Sequence, residues 1–188
     1  MKIPIEISAR HIHLCEKDLE MLFGKNYRLK KLRNLSYLSN FAAKETITLQ
    51  NGKNAIKDVR IIGPLRKQTQ VEISFTDAIF LDLAAPIRKS GNLKNSASIV
   101  LIGPKGKIKL EQGLIIPWRH IHFNKVKAKK LGLEENDLVS VRIKGKRGLV
   151  FNNVLIRLHE DFKTFMHLDT DEGNACNITR KGQGDLIL

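Results

Sequence analysis

The sequence predicts a mainly β protein with short helices, built as two packed β-barrel modules that are related by an internal repeat. Three observations carry this expectation. Ala9-Arg10-His11-Ile12-His13-Leu14 recurs as Trp118-Arg119-His120-Ile121-His122-Phe123, so that His11 becomes His120, 109 positions on. Each copy runs into a short helical pattern that ends at a glycine. The rest of each half is a succession of short β-branched runs bounded by Gly, Pro or Asn, which suits barrel-like units rather than an alternating βαβ sheet.

Taken in order, the first helical pattern is Cys15 to Gly24 and the second Asn124 to Gly132. Asn124 is a strong N-cap, because its side-chain oxygen can accept from first-turn amides, whereas Cys15 at the matching place is a weak one. Strands are expected at Glu45 to Leu49, then after the Asn51-Gly52 turn at Asp58 to Ile62, and at Gln70 to Ser74, Ser98 to Ile102 and Lys107 to Leu110. The second half repeats the habit at Leu138 to Ile143, Leu149 to Phe151, Val154 to Leu158 and Phe165 to Asp169, with a turn over Lys144 to Gly148. Arg88 to Ser96 reads as a loop.

Composition bounds the function. The 188 residues suffice for one large or two small domains, and 42% apolar content is globular. No run approaches the roughly 18 apolar residues of a membrane-spanning helix, which excludes a transmembrane protein of that kind. Glu6 and Arg10 interrupt the opening before a signal-peptide core could be completed, so a cytoplasmic protein is expected. Cys15 and Cys176 support neither a disulfide framework nor a cysteine zinc knuckle, leaving metal chemistry to His and carboxylates. The 33 Lys and Arg against 19 Asp and Glu give a net charge of +14, concentrated in Lys25 to Arg33, Lys125 to Lys130 and Arg142 to Arg147. Such runs suit a solvated face, a nucleic acid, an acidic membrane surface or phosphate-rich small molecules. Tyr27 is the one aromatic among them, which argues against a single-strand nucleic-acid binder that stacks bases.

The histidines are the chemical signal. In a strand, residues i and i+2 share a face, so His11 and His13 present two imidazoles side by side, as do His120 and His122. Neutral imidazoles at that spacing can share one metal ion or bridge two, and zinc suits them. Four of the six histidines sitting in one repeated Arg-His-Ile-His tetrapeptide favours ligation over a chance surface pair. His167 alternates with Met166 and Leu168 and by itself reads more readily as a hydrogen-bonded core histidine than as a ligand, and His159 reads as surface. Glu72, between Val71 and Ile73, is either a site carboxylate or the solvent face of an edge strand. Arg60 and Arg66 lie near it in sequence and could fork onto a phosphate. Cys15, at a helix start, invites a nucleophile reading that the cap reading outweighs.

Ile3 to Leu14, Gly63 to Ser74, Trp118 to His122 and Met166 to Ala175 strongly resemble the PduL-type phosphate acyltransferases, over nearly the whole chain. The resemblance implies interconversion of a short-chain acyl-CoA plus phosphate with an acyl phosphate plus free coenzyme A, on two barrel modules with two zinc ions, or another divalent metal, between them. It implies His11, His13, Glu72, His120, His122 and His167 as metal ligands, and Arg66 as the catalytic, phosphate-binding arginine. It further implies that Lys53, Arg60 and Asn174 contact coenzyme A. The opening strand would pair with the C-terminal module, making the domains 1–10 with 118–188, and 11–117. Cys15 and Cys176 depart from the family pattern without touching the implied ligands. The implied partners are acyl-CoA and phosphate, with no nucleic acid, no membrane and a possible homodimer. Some members reach a bacterial microcompartment through an N-terminal extension. This chain starts almost at its first strand, which favours a cytoplasmic enzyme, although a compartment could be reached through partners. Two other classes compete: a dinuclear hydrolase that uses water as acceptor, and a basic barrel that binds nucleic acid.

Overall fold

A computed structural model describes residues 1–36 and 39–188. Among the described residues the chain order is β1 Lys2–Ile7, β2 His11–His13, α1 Glu16–Phe23, β3 Lys31–Asn34, β4 Phe41–Asn51, β5 Asn54–Gly63, β6 Gln70–Glu72, α2 Phe75–Phe80, β7 Ile87–Arg88, β8 Ala97–Ile102 and β9 Lys107–Pro117. The remainder is β10 His120–Asn124, α3 Lys125–Lys130, β11 Leu138–Ile143, β12 Leu149–His159, β13 Phe165–Leu168, α4 Thr170–Ala175 and β14 Lys181–Ile187. These elements form two compact units, a central one of Arg10–Pro117 and a terminal one of Met1–Ala9 with Trp118–Leu188.

Each unit contains a closed ring of six strands with one pairing pattern, so the expected pair of barrels is what the chain forms; in the central unit β3 adds to β4 and β7 to β9 outside the ring. In the central unit β2 runs parallel to β5 and antiparallel to β6, β6 is parallel to β9, and β9, β8, β4 and β5 close the ring antiparallel. In the terminal unit β10 runs parallel to β12 and antiparallel to β13, β13 is parallel to β1, and β1, β14, β11 and β12 close it antiparallel. Position for position, β9 does in the central barrel what β1 does in the terminal one. Since β1 leads into β2 and β9 into β10, each copy of the repeat gives its first strand to the other copy's barrel.

Period-two burial explains the walls. Ile3 and Ile5 are buried while Lys2 and Pro4 are exposed, and Ile12 and Ile121, between the paired histidines, are core residues of their barrels. Val71 does the same between Gln70 and Glu72, and Met166 and Leu168 on either side of His167. The histidines and Glu72 are therefore on the wall face turned away from each barrel's apolar core.

Several local expectations change. Leu149 to Phe151 and Val154 to Leu158 join into the single β12, with Asn153 absorbing the irregularity at φ 55°. Ser74 and Asp169, expected as strand ends, are the N-caps of α2 and α4, and both helices were missed in the sequence. β3, β7 and β14 were missed too. β14 carries Gly182 and Gly184 where a side chain would stand, because a Cβ on Gly182 would come 2.6 Å from Ile178 Cδ1 and one on Gly184 would meet Val141.

The caps at the two repeat starts behave as expected. Asn124 Oδ1 accepts from Val126 N at 3.1 Å and Lys127 N at 3.3 Å, whereas the Cys15 side chain makes no cap hydrogen bond. Asn124→Ala should therefore lower unfolding stability by about 1 kcal/mol, while Cys15→Ser should raise it by up to about 1 kcal/mol. Urea titrations of the two variants against the parent chain read both signs.

Candidate metal sites

The first cluster is built on the antiparallel pair β2 and β6, whose register sets His11 opposite Glu72 and His13 opposite Gln70. His11, His13 and Glu72 offer ligand atoms that all lie within 4.8 Å of one another, and all three residues are buried. His11 Nε2 is 3.5 Å from Glu72 Oε2. His13 Nδ1 lies 3.1 Å from the carbonyl oxygen of Ile62, and since a carbonyl only accepts, Nδ1 carries the proton. That leaves the Nε2 lone pair of His13 buried, and among the described residues it has no hydrogen-bond partner. Burial, then the charges of His11 and Arg66, hold the His13 pKa well below the ordinary histidine value, so the ring stays neutral.

Polar groups brace this cluster. Gln70 donates through Nε2 to Glu72 Oε1 and to Ser90 Oγ at 2.8 Å, and its Oε1 accepts from Gly91 N at 2.8 Å. Arg66 is half-buried, with its backbone N–H donating to Leu14 O at 2.9 Å and Nη1 3.4 Å from Ser90 Oγ. Glu72 is not on a solvent face, because β6 is an interior strand between β2 and β9.

The second cluster repeats the first in the terminal barrel. β10 and β13 set His120 opposite His167, as β2 and β6 set His11 opposite Glu72. The rings of His120, His122 and His167 stand edge to face, with centroids 4.7, 5.3 and 5.0 Å apart. His120 Nδ1 donates to Trp118 O at 2.8 Å, which turns its Nε2 lone pair toward His122 Nε2 at 3.1 Å. Burial, then His120, His167 and Arg157, push the His122 pKa far below the ordinary value. Phe162 and Phe165 pack on His122 at 4.5 and 4.9 Å between centroids.

Both clusters fit a divalent metal. Each offers three neutral or anionic ligands, two imidazoles with a carboxylate in one and three imidazoles in the other, the two donor sets that catalytic zinc sites complete with an open fourth position. A second matched feature holds the ligand-bearing segments together. Two residues beyond Glu72 and two beyond His167, capping boxes start α2 (Ser74 with Asp77) and α4 (Asp169 with Glu172). The arginine just before each His-x-His pairs with that box's acid: Arg10 Nη2 to Asp77 Oδ1 at 2.7 Å, and Arg119 Nη1 to Glu172 Oε1 at 2.7 Å. Neither pair was seen in the sequence, although the boxes Ser-x-x-Asp and Asp-x-x-Glu were there as a signal.

The other expected residues are spread more widely. Arg60 lies opposite His11 in β5 and spends Nη1 on the carbonyls of Ala43 and Lys44 at 3.1 and 2.7 Å. Lys53 sits in the exposed β4–β5 turn, about 23 Å along the strand from Arg60 at a rise of about 3.3 Å per residue. The structure does not bring it to the first cluster. Asn174 is exposed in α4, and His159, at the end of β12, is half-exposed in its side chain at 49%. Cys15 is the half-buried N-cap of α1, and Cys176 is buried with its thiol pKa raised, first of all by burial.

Two barrels, each carrying three imidazole or carboxylate groups that could hold a metal ion, frame the comparison with known proteins. The model of the phosphate propanoyltransferase family matches residues 4–179. The phosphate propanoyltransferase of Lachnoclostridium phytofermentans is 49% identical over 178 residues, covering 94% of this chain and 83% of that protein. Those of Thermotoga maritima and Salmonella typhimurium are each 46% identical, over 186 and 175 residues, covering 98% and 93% of this chain and 87% and 83% of theirs. The chain belongs to the phosphate propanoyltransferase family, and it is an acyltransferase. Among the described residues no helix is long and apolar enough to cross a membrane.

The arginine clasps are testable on stability alone. Glu172→Gln keeps a side chain able to close the capping box, so a double-mutant cycle of Arg119→Gln with Glu172→Gln isolates the ion pair. For partners 29% and 19% exposed in their side chains, a coupling of about 1 kcal/mol is expected by urea denaturation.

Proposed function

We propose that this chain transfers a short acyl group between coenzyme A and inorganic phosphate at a dinuclear zinc centre, with His11, His13 and Glu72 holding one ion and His120, His122 and His167 the other. The observation that carries the reading is the repetition itself. Two copies of one strand pair, in one register, each place three ligand atoms together, and the buried Nε2 lone pair of His13 has no protein partner among the described residues to satisfy it. Zinc in the triads would supply Lewis acidity to the thioester carbonyl and to the departing sulfur.

The chain's own residues do the rest. Arg66 presents a planar, permanently charged fork beside the first triad and binds and orients the phosphate dianion. A phosphate oxygen attacks the acyl carbon, the carbon–sulfur bond breaks with its electron pair on sulfur, and the proton of hydrogen phosphate ends on the thiol of coenzyme A. The reverse direction retraces these steps. His13 and His122, kept neutral by burial, bind as lone-pair donors without first releasing a proton at neutral pH. No covalent acyl-enzyme is required: Cys15 stands at a helix cap, and the Cys176 thiol is buried with a raised pKa. Arg60 and Asn174 are assigned to coenzyme A, with Lys53 reaching at most a distal part of it. The net charge of +14 would draw both polyanionic substrates.

Thioester formation from coenzyme A and acetyl or propanoyl phosphate tests the reading. Activity should vanish on removal of metal by a chelator and return with zinc, with phosphate rather than water as acyl acceptor in the opposite direction. A folded, zinc-loaded protein that hydrolyses the thioester instead would move it to the hydrolases. Arg66→Gln should raise the KM for phosphate by about 10- to 100-fold, the effect of losing a charged hydrogen bond of about 1.5–3 kcal/mol, with the KM for acyl-CoA little changed.

A further inference from the structure

The two barrels are each other's control, because the same backbone position can be compared beside each triad. In the central barrel the residue opposite His13 is Gln70, which braces Glu72 and Ser90, with Arg66 nearby. In the terminal barrel the residue opposite His122 is Phe165, and the loop between β12 and β13 adds Phe162. Phe165 alternates with the core residue Met166 and so shares the face of His167, with the two rings 4.9 Å apart. Phe162 stacks edge-on against His122 at 4.5 Å and lies 5.1 Å from His159. Both rings are buried, and outside the barrel's main apolar cluster they make ring contacts with His122, His159 and His167. The first triad thus has Gln70, Ser90 and Arg66 around it, whereas the second has Arg157 opposite His122 on β12 and an aromatic pair, Phe162 and Phe165, on its other side.

The two substrate parts that must meet also differ. Phosphate is a hydrogen-bonding dianion, matched by Arg66. The acyl group is an uncharged hydrocarbon chain on a carbonyl, and it gains from leaving water only against an apolar wall. We propose that Phe162 and Phe165 form the wall of the acyl subsite beside His120, His122 and His167, and that they set the length of acyl chain the enzyme accepts. This rests on the acyl-transfer reading above and adds to it the specificity-determining residues. Each methylene buried against the rings is worth about fourfold in affinity, so trimming a ring makes room that a longer chain fills.

The test uses the zinc-loaded full chain and its variants Phe162→Ala, Phe162→Leu and Phe165→Leu. For each, kcat/KM is measured with acetyl-, propanoyl-, butanoyl- and hexanoyl-CoA. The Kd values of S-propyl- and S-hexyl-CoA thioethers, which bind without reacting, are measured by calorimetry beside that of free coenzyme A. The expected result is a shift of about tenfold or more toward hexanoyl over propanoyl in Phe162→Ala, a smaller one in the two leucine variants, and an unchanged Kd for free coenzyme A. The thioethers should shift in parallel. Chain-length ratios that stay fixed in all three variants would overturn the proposal. So would loss of one zinc equivalent from all three, which would make the rings mere supports of His122. A parent enzyme that transfers nothing to phosphate would instead defeat the underlying reading before any variant is compared.

Discussion

Everything around the two triads depends on the pleat of β2 and β10. A strand sends successive side chains to opposite faces, so the single isoleucine between each pair of histidines decides the geometry. Ile12 and Ile121 are wholly buried in their barrel cores, and this drives His11, His13, His120 and His122 onto the other face. A slip of one residue would bury imidazoles in the cores and expose the isoleucines, so hydrophobic burial fixes the register of both sites. The third ligand then follows from pairing alone. Glu72 and His167 stand opposite the first histidine of each pair, flanked by Val71 on one strand and by Met166 and Leu168 on the other, all packed inward.

Around this common frame the two sites have diverged. One ligand position is a carboxylate in the first triad and an imidazole in the second, so identical ions would leave the second site one unit more positive. The surround differs as well, with Gln70, Ser90 and Arg66 at the first and Phe162, Phe165 and Arg157 at the second. What has not diverged is the bracing. An arginine beside each histidine pair reaches an acid in the first turn of the helix that follows the third ligand, and each of those helices opens with a capping box. The clasp ties the two segments that carry one triad, a few residues from the ligand atoms.

Much of this was legible in the sequence because it follows from local rules. The His-x-His pairs, the Asn124 cap and the strand at Leu138 to Ile143 each depend on neighbours within a few residues. What was not legible depends on partners far along the chain. Glu72 alone could be solvent-facing or functional, and only the placement of β6 between β2 and β9 buries it. β3 lies within a basic run and is exposed throughout, so it has no hydrophobic period. β14 has glycines where the barrel wall comes close, and these erase its alternation. The helices α2 and α4 have six residues each, too short for a 3.6-residue period to show, and only their capping boxes marked them. Asp77 and Glu172 lie 67 and 53 residues from Arg10 and Arg119, too far along the chain for any local pattern to mark them as partners.

On the proposed function, each triad would hold one zinc ion through imidazole and carboxylate alone. Zinc analysis of the purified full chain, combined with X-ray absorption at the zinc edge, decides this. Two zinc equivalents per chain, with a first shell of nitrogen and oxygen only at about 2.0–2.2 Å, is the predicted result. A scatterer at about 2.3 Å, the zinc–sulfur distance that Cys15 or Cys176 would give, or fewer than two equivalents in an active enzyme, would contradict it.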